Sequence, residues 1–163
     1  MKSLLVAISV CLMALSACSG DAEVSKQAGY FEGLDPEVVD EVLNDPVAAQ
    51  KIEEEPEETK ASMAQGIVRN YVICREAFQA YREWTTTGQA PELEPMPSPD
   101  DPEEPSNESV ENDYAAVKAA IESGEPQQLR LRLTAEGGCG NWIPAEPGDR
   151  EGPTIKEAIE ESA

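Results

Sequence analysis

Residues 59–87 read TKASMAQGIVRNYVICREAFQAYREWTTT, and the apolar members of this stretch decide the fold. Met63, Ile67, Tyr71, Cys74, Phe78 and Tyr81 follow one another at intervals of four, four, three, four and three residues. Such intervals trace one stripe of a 3.6-residue period. Arg69, Arg75, Glu76, Gln79, Arg82 and Glu83 fall mostly off that stripe. The segment therefore predicts one long amphipathic helix that stops near Gly88, with Pro91 beyond it. Cys74 lies within the stripe and should point inward.

The segments on either side of it read as shorter helices. Leu34-Asp35-Pro36-Glu37 carries a capping Asp, a Pro suited to the first helical position and a Glu that complements the helix dipole. Leu34 and Val39 stand where a hydrophobic staple would place them. Asp45-Pro46 repeats the signal ten residues later, so a second short helix starts there, with Ile52 as its last apolar anchor. The run Glu53-Glu54-Glu55-Pro56-Glu57-Glu58 is a solvated turn; it has none of the Asp-x-Asp-x-Asp-Gly spacing of a calcium loop.

Downstream, Ser106 or Asn107 caps a helix striped by Val110, Tyr114, Val117 and Ile121 and ended by Gly124. Leu129-Arg130-Leu131-Arg132-Leu133 alternates like a strand, yet no other segment offers a strand to pair with it, and a lone strand leaves its backbone unsatisfied. Pro126 as a first helical residue and Gly137 as a stop favour a short helix with Leu129 and Leu133 on one face. Thr154 and Glu157 have the spacing of a capping box for a last helix anchored by Ile155 and Ile159. The expected fold class is thus all-α: a small bundle of four or five helices over residues 34–163.

Residues 89–106 break the pattern, with six prolines, six acids and no aromatic residue, and predict an extended, disordered acidic insertion inside that domain. Across all 163 residues, 33 acids face 12 bases, giving a net charge of −21, and there is no histidine. Nucleic acid is excluded as the default partner, because phosphate binding requires clustered Lys and Arg. The absence of histidine removes Ser-His-Asp and Cys-His catalysis, His-ligated zinc and imidazole switching. No phosphate-binding GxxxxGK(S/T) loop or GxSxG elbow occurs. Gly138-Cys139-Gly140 lacks the third glycine of a dinucleotide loop, since Ile143 holds its place. No catalytic residue, metal ligand or cofactor is expected, and neither is enzymatic activity.

The first 20 residues, MKSLLVAISVCLMALSACSG, place Lys2 before an apolar run from Leu4 to Leu15. That run is too short for the roughly 20 residues of a membrane span, and suits a cleaved export signal. It closes on Leu15-Ser16-Ala17-Cys18, which resembles the lipobox of bacterial lipoproteins; the resemblance covers only these 20 residues. It implies cleavage after residue 17, lipid on the Cys18 sulfur and attachment to the membrane through that lipid. Residues 18–33 then form the acylated cysteine and a flexible tether. Ser19 follows the cysteine where an Asp is absent, which favours the outer membrane in a two-membrane host; in a single-membrane host the site is its outer face.

Cys11 leaves with the signal and Cys18 carries lipid, so Cys74 and Cys139 remain as an even pair in an oxidising compartment, and a disulfide is the expected outcome. Cys139 sits in the Gly- and Pro-rich loop GGCGNWIPAEPGDREG, which also presents Trp142. Trp142 is read as a cap on the core against Tyr81 or Trp84, or as an interface anchor. Two functions fit these features. One is a non-enzymatic protein-interaction or assembly module of the cell envelope with an envelope protein as partner. The alternative is a small-ligand or cation-binding lipoprotein with a pocket between helices lined by Tyr71, Phe78, Tyr81 or Trp84.

Overall fold

The computed structural model describes residues 31, 33–93 and 108–162. The signal, Cys18, most of the tether, residues 94–106 of the Pro-rich insertion and the cap at Ser106 or Asn107 lie outside the described residues. The domain is all-α, with six α-helices among the described residues: α1 (Pro36–Leu43), α2 (Pro46–Glu53), α3 (Lys60–Thr87), α4 (Glu108–Glu122), α5 (Pro126–Thr134) and α6 (Ile155–Glu161). A single 3₁₀ turn, Cys139–Asn141, lies between α5 and α6.

Local chemistry sets most helix ends. The Asp35 carboxylate accepts the Glu37 backbone N–H at 2.9 Å, and Asp45 accepts those of Val47 and Ala48 at 2.8 and 3.0 Å. Each cap stands before a proline at the first helical position, where the missing N–H costs nothing. Helix α3 ends on Gly88 at φ 74°, in the left-handed conformation that glycine adopts without penalty. Thr154 and Glu157 form the full capping box: the Glu157 N–H donates to Thr154 Oγ1 at 3.3 Å, and the Thr154 N–H donates to Glu157 Oε2 at 2.8 Å. These bonds from the Thr154 backbone, then from its hydroxyl, hold the Glu157 carboxyl below its ordinary range.

Helix α3 has 28 residues, about 42 Å at 1.5 Å per residue, and is the axis of the fold. It touches α1 and α2, and also α4, α5 and the 3₁₀ turn. Its stretch from Ala64 to Arg69 is buried at six successive positions, so the helix is wrapped on all sides there rather than along one stripe. This corrects the expectation for Arg69, which the stripe placed off the core: Arg69 is 4% exposed and Gln65 is 5% exposed.

The second half of the domain packs around α5. Leu129 and Leu133 are fully buried, whereas Leu131 between them is 52% exposed. That difference is the helical answer to the alternating sequence. Helix α5 contacts α4, α6, α3 and the 3₁₀ turn, and joins the rest of the core through Ile143, Ile155 and Ile159. Residues 143–145 and 153–155 approach antiparallel: Ile155 N–H donates to Ile143 C=O and Ala145 N–H to Pro153 C=O, both at 2.9 Å. The contact amounts to one isolated bridge, Pro144 to Thr154.

Two segments read from sequence as loose are partly docked. Phe31, on the tether side of α1, is half-buried against the core, and its carbonyl accepts the Leu34 N–H at 3.1 Å. Leu93, within the Pro-rich insertion, is also half-buried against the core and shares a cleft with Tyr114 and Ile121 of α4.

Candidate functional site

The loop from Cys139 to Thr154 is tied to the rest of the domain at several independent points. Cys139 is bonded to Cys74 in the middle of α3, with Cα atoms 6.0 Å apart. Gly140 sits in the 3₁₀ turn because a larger residue has no space: a Cβ there would lie 2.4 Å from the Leu133 carbonyl oxygen and 3.2 Å from Ile155 Cγ2. Further along, Arg75 of α3 donates from Nη1 to the Pro144 and Ala145 carbonyls at 2.9 and 3.3 Å. Arg82 of α3 reaches Glu146 at 3.2 Å.

Arg150 fastens the tip of the loop to the join between α1 and α2. It donates to the Glu41 carbonyl at 2.6 Å and the Asn44 carbonyl at 3.3 Å, and it pairs with Asp45 Oδ2 at 3.0 Å. Carbonyls at the end of α1 are natural partners for a cation, since that end of a helix carries partial negative charge. Arginines 75, 82 and 150 of this acidic chain are thus used to hold one loop.

Trp142 stands at the centre of this arrangement, half-buried. Its ring lies 6.2 Å from that of Tyr71 at an interplanar angle of 51°, and Lys51 Nζ of α2 is 5.6 Å from the ring centroid. Both contacts are of favourable kinds, a tilted aromatic pair and a cation over an aromatic face. Trp142 therefore packs against Tyr71, and not against the Tyr81 or Trp84 expected from sequence. Val47, four residues before Lys51 on the same side of α2, is 47% exposed. Lys51 thus lies over the Trp142 ring, with the exposed Val47 one helical turn before it on α2.

The aromatic residues proposed to line a ligand pocket are distributed differently. Tyr71, Phe78 and Trp84 are buried members of the core, and Tyr81 is half-buried against it. Clefts of about 200, 630 and 360 Å³ open elsewhere, and none of these three is lined by any of the four. No group of three or more Cys, Asp or Glu side chains among the described residues is arranged to hold a metal ion.

Tyr71 also bonds to α1: its hydroxyl donates to Glu41 Oε1 at 2.8 Å, and the same oxygen accepts the Gly148 N–H at 2.9 Å. Burial, followed by the hydrogen bond to Glu41 and the nearness of its charge, pushes the Tyr71 phenol up to about 12. A raised native value means that stability is complete below the unfolded value near 10 and is lost as pH climbs toward 12, because only the unfolded chain releases the proton. Tyr71→Phe should cost about 1 kcal/mol at pH 8, the worth of one hydrogen bond. By pH 11 that disadvantage should be gone and slightly reversed, because one unit above the unfolded value linkage takes about 1.4 kcal/mol from wild type, while Phe does not titrate. Urea denaturation of both proteins at the two pH values measures this; an unchanged difference would mean that the phenol is not held neutral by the fold.

Glu41, Lys51 and Arg150 were not singled out by sequence, because each belongs to a charge-rich chain in which a single acid or base carries no signal. No family model matches this chain, and no curated protein and no solved structure matches it either.

Proposed function

We propose that this chain is a lipid-anchored lipoprotein of the bacterial cell envelope, whose helical domain is a non-enzymatic protein-interaction or assembly module. The observation that carries the reading is a conjunction: the Cys74–Cys139 disulfide closes within the domain that follows the lipobox-like Leu15-Ser16-Ala17-Cys18. A disulfide of this kind persists in an oxidising compartment, and export is what such a leader provides. Diacylglycerol on Cys18 supplies two chains at about 0.8 kcal/mol per buried methylene, enough for firm attachment.

The interaction reading is supported by how the charges and aromatics are used. Asp35, Asp45 and Glu157 act at helix caps, and Arg75, Arg82 and Arg150 anchor the loop, which makes a rigid frame. The patch of Trp142, Lys51 and Val47 gives that frame an accessible face of the composition that interfaces favour. An anionic domain of this charge also stands off anionic lipid.

Native mass spectrometry of the protein extracted from its own membrane in mild detergent tests both parts. The anchor reading requires a mass that includes the lipid, begins at Cys18 and lacks two hydrogens for the disulfide. The module reading requires a protein-sized adduct that is lost in Val47→Glu, a surface change that leaves the helices intact. An unlipidated chain beginning at Ser19 would overturn the first; an adduct indifferent to Val47→Glu, or no adduct after crosslinking in living cells, would overturn the assignment of the patch.

A further inference from the structure

Beyond the anchored interaction module, the geometry points to Cys139 as a thiol-exchange site: the sulfur through which small thiols and disulfides reach the Cys74–Cys139 bond, so that the folded domain opens and recloses it without unfolding. Exchange requires one sulfur that an incoming thiolate can approach and a second that can leave. The two ends of this bond differ in both respects.

Cys74 belongs to the middle of α3 and is 0% exposed, with Ala77 and Phe78 of the same helix buried as well. Cys139 is partly exposed. It lines a cleft of about 200 Å³ between α3, α4 and the end of α5, together with Asn70, Gly137 and Gly138. That volume is below the roughly 300–1,000 Å³ of drug-sized sites, and suits the narrow sulfur-bearing end of a small thiol. The neighbours of Cys139 in the chain, Gly138 and Gly140, contribute no side chain to cover it. Neither position accepts one, since a Cβ on Gly138 would meet the Ala135 carbonyl oxygen at 3.0 Å and one on Gly140 would run into the Leu133 carbonyl. The packing that excludes larger residues there also keeps the cysteine uncovered.

Opening begins when a small thiolate attacks Cys139 Sγ. A new S–S bond forms there, the bond to Cys74 breaks, and Cys74 leaves as a thiolate that takes up a proton. The departing charge appears where no water stabilises it, so opening is slow. Closing passes through the same buried thiolate in reverse: Cys74 loses its proton, attacks Cys139 Sγ, and the small thiolate departs into solvent. Closing is intramolecular, however. The Cα atoms stand 6.0 Å apart, and Arg75 still holds the carbonyls of residues 144 and 145, so the attacking sulfur keeps a high effective concentration. A fully reduced domain recovers by the same route. The Cys139 thiolate attacks a small disulfide and releases one thiol, and Cys74 then expels the other, so the two electrons of the dithiol reduce the disulfide to two thiols.

Glutathione disulfide is the probe for two variants of the lipidated protein in mild detergent, Cys74→Ala with only Cys139 free and Cys139→Ala with only Cys74 free. Mass spectrometry follows the mixed disulfide while circular dichroism follows the helices. Cys139 is expected to react at least about tenfold faster than Cys74, and urea should erase the difference by exposing both. Wild type with its bond intact provides the second measurement, should either variant fail to fold. Incubated with reduced glutathione, quenched in acid and mapped by peptide mass, it should carry glutathione on Cys139 in preference to Cys74, with its helical signal unchanged. Equal reaction at the two sulfurs under native conditions, preference for Cys74, or no reaction at either until urea is added overturns the inference.

Discussion

Reducing the Cys74–Cys139 bond, or replacing both cysteines with alanine, is expected to lower the stability of the domain by about 4 kcal/mol, the value that chain entropy gives for a loop of this length. The two sulfurs are 65 residues apart in sequence, and the loop they close contains half of α3, the Pro-rich insertion, α4 and α5. An acidic chain with a modest core has little other means of limiting its unfolded ensemble. At about 4 °C per kcal/mol for a domain of this size, the midpoint should fall by about 15 °C. The native contacts around Cys139 do not depend on the bond: Gly140 remains wedged under the Leu133 carbonyl, and Arg75 keeps its carbonyl partners at 144 and 145. The reduced protein should therefore keep its helical circular dichroism while the urea slope steepens, because the freed unfolded chain exposes more surface. A loss under 1 kcal/mol with an unchanged slope would place the stability of the domain elsewhere.

What could be read from sequence was what acts within one or two helical turns. Asp35-Pro36, Asp45-Pro46 and Thr154-x-x-Glu157 each bond to backbone two or three residues away, so the chain states these helix starts locally, and the structure has them. Gln65 and Arg69 show the limit. Periodicity marks which side of α3 is apolar, but the number of neighbours wrapped around it depends on where α1, α2, α4 and α5 come to rest. Burial of two polar residues on the far side is a tertiary fact.

The position of Trp142 follows from the disulfide. Given the disulfide, Cys139 is held at Cys74, and a tryptophan three residues later in a tight turn must land within about one helical turn of that point. Tyr71, three residues before Cys74, is within that reach on the same face; Tyr81 and Trp84 are seven and ten residues beyond it. Arg75 and Arg82 fall off the apolar stripe. Their role as anchors for the carbonyls and Glu146 of a remote loop leaves no mark in their own neighbourhood.

Leu129, Leu131 and Leu133 provide the second large effect, and a direct test of the helix that their alternation conceals. In a strand all three would share one face, and truncating any of them would cost alike. In α5, positions 129 and 133 are four apart and fully buried, while 131 points to solvent at 52% exposure. Leu129→Ala and Leu133→Ala should each destabilise by about 3 kcal/mol, combining the lost transfer energy with the cavity left behind. Leu131→Ala should change stability by no more than about 0.5 kcal/mol, since it removes an exposed side chain and installs the best helix former. Urea denaturation of the three variants gives the pattern, and three comparable losses would mean that the segment is paired as a strand.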